Sequence, residues 1–165
     1  MVEVPVPGKP VRASMSEYTE LTQPNDANAL GTLFGGKLMQ YVDLAGALAA
    51  TRHSRCSVVT ASVDQLTFLR PVKIGQLVVL KSMVNRVFHT SMEVGVKVFV
   101  EDLRSGEIRH VSSAYLTFVA LDHQGNKVVI PQAIPETLEE IRRHEEAGRR
   151  REYRLQEKKR ALARE

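Results

Sequence analysis

Residues Leu30–His53 read "LGTLFGGKLMQYVDLAGALAATRH". The stretch opens as a glycine-broken loop and turns into a proline-free run rich in Leu, Met and Ala, which predicts a helix from about Gly36 to His53. Its apolar residues, Leu38, Met39, Val42, Leu44, Ala45, Ala47, Leu48, Ala49 and Ala50, wrap most of the helix circumference. A helix that is apolar on nearly every side is expected to be buried. Asp43 sits in the middle of it. A lone carboxylate is expensive to bury, so such a group is normally paired, hydrogen-bonded, protonated or functional. The residues alone leave three roles open: contact with water in a groove, a bond to a backbone N–H across a subunit interface, or chemistry.

The glycines before the helix have the wrong spacing for a dinucleotide fingerprint and follow a loop rather than an early strand. Gly35 and Gly36 either permit a sharp start to the helix or bare its first N–H groups, where a carbonyl oxygen gaining negative charge is held by donors and the helix dipole. Asp43 lies seven residues beyond Gly36, two turns or about 10 Å along the same face. Asn28 precedes both in the loop "TQPNDANALGT". An asparagine in a turn ordinarily bonds its own backbone.

Working outward, Ser14 to Leu21 suggests a short first strand. After the helix the texture changes to β-branched residues in "SVVTASVDQLTFL", followed by the turn "RPVKIG". Then come "QLVVLKSMVNRVF", the break "HTS", "MEVGVKVFVEDL", the turn "RSGE" and "IRHVSSAYLTFVALD". Met92, Val94, Val96, Val98 and Val100 alternate with Glu93, Lys97 and Glu101. Short connections between long strands suggest antiparallel neighbours. The predicted class is therefore α+β, a curved antiparallel sheet of about five strands around one long buried helix. One sheet leaves part of that helix and a long strand edge open, which a second subunit is expected to cover. Three stretches are expected: an extended tail over 1–13, the main domain over 14–131 and a charged helix over 132–165. In that helix Glu139 with Arg143, Glu145 with Arg149 and Glu146 with Arg150 are spaced i,i+4. Leu138, Ile141, Tyr153, Leu155 and Leu162 are its expected apolar contacts, with Gly148 a possible break and fraying at the end.

Composition narrows the function classes. The chain is 43% apolar, and its net charge of +4 sits beside a C-terminal segment of ten Lys/Arg and eight Asp/Glu from Glu136 onward. So balanced a segment draws nucleic acid or lipid weakly, and neither is expected as a partner. No run of about 20 apolar residues suggests a membrane span, and the proline-rich start is no secretory signal, so a cytoplasmic protein is expected. A lone Cys56 excludes an internal disulfide. None of the five histidines falls in a metal-ligand pattern, and no Gly-x-Ser-x-Gly elbow is present. No metal is expected.

Taken together, "PNDANALGTLFGGKLMQYVDLAGALAATRH", "VVTASVDQLTFLRPVKIGQLV", "TSMEVGVKV" and "AYLTFVALD" closely resemble the acyl-CoA thioesterases of the hotdog fold. The nearest group is the brain-type acyl-CoA hydrolases and their short bacterial relatives, and the similarity runs from about Ser16 to Pro131. That resemblance implies a hotdog domain with a C-terminal helical extension, working as a homodimer within a trimer of dimers. It implies hydrolysis of acyl-CoA to a carboxylic acid and CoA, with no cofactor. Asp43 would be general base or nucleophile, and Asn28 of the partner subunit would orient water or substrate. The Gly36 N–H would polarise the carbonyl, with Gly35 beside it at the substrate. The family often carries His-Gly-Gly at this point, where this chain has Phe34. Arg86, Thr90 and Ser91 are expected to hold the anionic nucleotide of CoA. A non-catalytic hotdog module that binds acyl-CoA or a nucleotide is the alternative, and a hotdog dehydratase a weaker one for want of a nearby histidine.

Overall fold

A computed structural model describes residues 6–163 of the chain. Strand β1 (Lys9–Pro10) and β2 (Ser16–Leu21) precede helix α1 (Gly35–Ser54). Four long strands follow, β3 (Ser57–Phe68), β4 (Leu77–Val87), β5 (Ser91–Glu101) and β6 (Ile108–Leu121), and then β7 (Ala133–Ile134) and helix α2 (Leu138–Leu162). The five-stranded sheet runs in the order β2-β4-β5-β6-β3, antiparallel throughout. Adjacency after short turns holds for β4–β5 and β5–β6. It fails for β3 and β4, which stand apart in the sheet although only residues 69–76 join them. Leu69–Gln76 is a crossover rather than a hairpin, and it runs past the start of α1, where the Leu33 N–H donates to the Val72 carbonyl at 2.8 Å.

The sheet's inner face supplies Val78, Leu80, Val84, Met92, Val94, Val96, Val98, Leu116 and Phe118 to the core, opposite Leu38, Tyr41, Val42, Ala45 and Ala49 of α1. Those helix positions follow the i, i+3, i+4, i+7 spacing of one buried stripe. Gly46 lets the helix settle onto the sheet, because a Cβ there would lie 2.9 Å from the Phe118 ring. Ser82 Oγ donates to the Ala45 carbonyl at 2.6 Å and ties the two layers. The helix is not enclosed on every side: Met39, Leu44 and Leu48 stay exposed in the single chain. One sheet covers one stripe.

The expected tail joins the fold before Ser14. Val11 and Ser14 are buried, and Lys9–Pro10 pairs in parallel with Ala133–Ile134; residues 1–5 lie outside the described residues. At the other end, α2 crosses the outer face of the sheet. Its start carries a capping box, with the Thr137 hydroxyl accepting from the Glu140 N–H and the Glu140 carboxylate accepting from the Thr137 N–H. The expected intrahelical pairs form at 2.9 Å (Arg143–Glu139), 3.6 Å (Arg149–Glu145) and 3.9 Å (Arg150–Glu146). What docks the helix is different. Leu138, Ile141, Tyr153, Leu155 and Leu162 all point to solvent, whereas Arg150 forks onto the fully buried Glu93 at 2.7 and 3.0 Å and lies 3.6 Å above the Tyr115 ring centre. Asn85 Nδ2 donates to the same carboxylate at 3.0 Å. Burial lowers the pKa of Arg150, but the hydrogen bonds and charge of Glu93 outweigh it and leave a net rise. Gly148 does not break the helix. It leaves room for the Arg86 guanidinium, which a Cβ would strike.

Candidate active site

Asp43 projects from the partly open side of α1 and is half-buried. Its Oδ1 accepts a 2.5 Å hydrogen bond from the Thr60 hydroxyl on β3. The register of β3 against β6 slips between Thr60 and Ser62, so Thr60 stands at a bulge, a device that re-aims side chains. A hydroxyl that donates to one carboxylate oxygen leaves the other oxygen free to accept.

At the helix start, Phe34 is the N-cap and provides no side-chain bond. Gly35 and Gly36 are the first two helical residues, and among the described residues nothing accepts from their N–H groups. Two bare donors at the positive end of a 20-residue helix can hold a developing oxyanion. The loop before them is closed on itself. Phe34 N–H donates to the Asp26 carbonyl at 2.8 Å, and Lys37 lies 3.6 Å from the Asp26 carboxylate.

Asn28 locks that loop. Its Oδ1 accepts from the N–H groups of Leu30 (3.0 Å) and Thr32 (3.1 Å), and its Nδ2 donates to Thr32 Oγ1 at 2.9 Å. This is the turn chemistry ordinary for asparagine. Within one chain no hydrogen bond joins Asn28 to Asp43.

Arg86, Thr90 and Ser91 do share one place, the β4–β5 turn beneath α2. The Arg86 guanidinium donates to the His144 carbonyl at 3.3 Å, and Ser91 Oγ accepts from Arg151 at 3.2 Å. Arg86 and Arg151 both stack on Phe88, at 5.6 and 4.4 Å. Burial, then the charges of Arg154 and Arg86, pull the Arg151 pKa down. Crowded like charge of this kind suits an anion. Sequence reading overlooked Thr60 and Arg151; neither belongs to a recognisable spacing. Tyr41 is no candidate base, since burial and then the Asp26 charge push it up to about 12.

A cavity of about 460 Å³ lies elsewhere, on the outer sheet face around Gly95 and under Arg142 and Arg143. A second, of about 290 Å³, opens beside Gly35 at the start of α1.

Set against known proteins, residues 30–107 match the Thioesterase superfamily. Over 140 residues the chain is 45% identical to the acyl-CoA thioester hydrolase YkhA of Bacillus subtilis, covering 85% of this chain and 81% of that protein. The chain belongs to the hotdog acyl-CoA thioesterase family. A hexameric acyl-CoA thioesterase, 40% identical, superposes with a TM-score of 0.88 over 94% of this thioesterase and 98% of the other chain. An acyl-CoA hydrolase from Staphylococcus aureus, solved with butyryl coenzyme A and coenzyme A, is 34% identical with a TM-score of 0.85, covering 95% and 98% of the two chains.

Proposed function

We propose that this thioesterase hydrolyses acyl-CoA through Asp43, held by Thr60 and served by the bare N–H groups of Gly35 and Gly36. The hydrolysis itself goes with the family; the residue roles are our reading. One observation carries them: a half-buried carboxylate on the open side of α1, oriented by a single hydroxyl, on the helix whose glycine start is unsatisfied. In the base reading, Asp43 takes a proton from water as the water oxygen attacks the thioester carbon. The carbonyl oxygen gains the negative charge that the helix start stabilises, and collapse expels CoA as thiolate, which takes up the proton. In the nucleophile reading, a carboxylate oxygen attacks the thioester carbon and expels CoA as thiolate, and water then cleaves the mixed anhydride to the free acid, restoring Asp43 and supplying the thiolate's proton. Apart from the water, the groups these steps use come from the protein, and the proposal includes no metal or cofactor.

Asn28 serves the site of the partner subunit. The closed loop displays it on the surface, and the long edge strand β3 is paired on one side only, which favours strand-to-strand joining of two copies. Related structures described as hexameric support three such dimers per assembly. The cluster of Arg86, Thr90, Ser91 and Arg151 receives the CoA phosphates. Among the described residues no helix is long and apolar enough to cross a membrane, and we place the enzyme in the cytoplasm with its substrate. Thiol release from a panel of acyl-CoA esters tests the reading: turnover by wild type and almost none by Asp43→Asn support it, and equal turnover by both overturns it.

A further inference from the structure

The 290 Å³ cavity beside Gly35 is walled by Leu33, Leu38, Phe68, Leu69, Pro71 and Val72, with Arg70 its one ionisable residue. Three backbone groups in these walls are already used, in the Leu33–Val72 bond and in the 2.9 Å bond from the Leu69 N–H to the Val111 carbonyl, and the bare Gly35 N–H is assigned to the carbonyl oxygen. We infer that this cavity receives the acyl chain and that Phe68 sets how long a chain fits. The inference rests on the thioesterase reading above.

Connectivity carries the first step. The acyl carbons are bonded to the carbonyl carbon whose oxygen faces the helix start, so they must lie beside Gly35, and Gly35 is itself part of this wall. The other substituent of that carbon is the thioester sulfur and its amide-bearing arm. Buried amides need hydrogen-bond partners, and apart from Arg70 these side chains offer none. A hydrocarbon chain needs none. In volume the cavity sits at the bottom of the ~300 to 1,000 Å³ range of small-molecule sites. At about 30 Å³ per water-sized group it holds a chain of fewer than about ten carbons.

Phe68 differs from the rest of the wall. Leu33, Leu38 and Val72 are buried in the packed core and cannot yield, whereas Phe68 is 48% exposed at the last position of β3, with its ring edge 3.9 Å from where a Gly35 Cβ would be. Its ring is the wall that a substitution can move without disturbing the core.

The test measures kcat/KM for saturated acyl-CoA esters from acetyl to palmitoyl with wild type, Phe68→Ala and Phe68→Trp, each checked for unchanged assembly size. Wild type should favour short chains. Phe68→Ala should raise the dodecanoyl-to-butanoyl ratio by about fourfold for each methylene newly admitted, tenfold or more in all; Phe68→Trp should lower it. Identical profiles in all three intact proteins overturn the assignment, and so does a uniform change in KM at every length, which would put the amide-bearing arm in the cavity. Failure of wild type to release thiol from any ester overturns the thioesterase reading instead.

Discussion

At the residue scale, Asp43 draws its meaning from what surrounds it. Among the described residues its one side-chain partner is Thr60, and the general base we propose it to be would typically contribute 10²- to 10⁴-fold to rate. Asp43→Asn should therefore lower kcat by about that factor with assembly intact. Thr60→Val keeps the shape and removes the donor, so the carboxylate loses its orientation; kcat should fall by roughly tenfold with KM little changed, as steady-state kinetics will show. Asp43 was legible because a carboxylate in an apolar run conflicts with its surroundings. Thr60 was not: in "SVVTASV" a threonine is what strand propensity asks for, and only the fold brings it to the helix.

At the element scale, α2 is held by charge. Replacing Arg150 with Met would strand the Glu93 carboxylate in a dry site, which costs about 3 to 5 kcal/mol, whereas Arg150→Met with Glu93→Leu should recover most of it. Urea denaturation of the single and double variants gives the comparison. The end of α1 titrates. Burial holds the His53 imidazole below its usual 6.5 while its Nε2 lies 2.8 Å from the Pro131 carbonyl, and burial followed by the Arg86 charge does the same to His144. The unfolded chain takes these protons more readily than the folded one. Stability is thus complete above about pH 6.5 and declines as pH falls below it, and His53→Gln should flatten that decline. The strands were legible from alternation and turn residues. Their order was not, because no local pattern says that Leu69–Gln76 crosses over instead of folding back. The docking of α2 was hidden too: its balanced charges resembled a self-sufficient solvated helix, and the partner of Arg150 lies 57 residues away.

At the scale of the whole molecule, one chain leaves apolar surface uncovered on α1 (Leu44, Leu48) and on β3 (Val59, Val63), together with the free edge of a 12-residue strand. Lysine on an edge strand discourages pairing. Val63→Lys should shift the protein toward monomer in sedimentation and lose activity in proportion. The hotdog plan, with its need for a second copy, was legible from one buried helix and too few strands to cover it. In the proposed site Asn28 comes from one chain and Asp43 from the other, a pairing that the family resemblance implies and that no local sequence pattern shows. The direct measurement is complementation: dissociate Asn28→Ala and Asp43→Ala proteins, mix them in equal amounts, reassemble and assay thiol release. If each site draws Asn28 from one chain and Asp43 from the other, half of the dimers are mixed and each has one intact site, so activity should return to roughly a quarter of wild type. Activity no higher than that of the two variants alone would contradict a site shared between subunits.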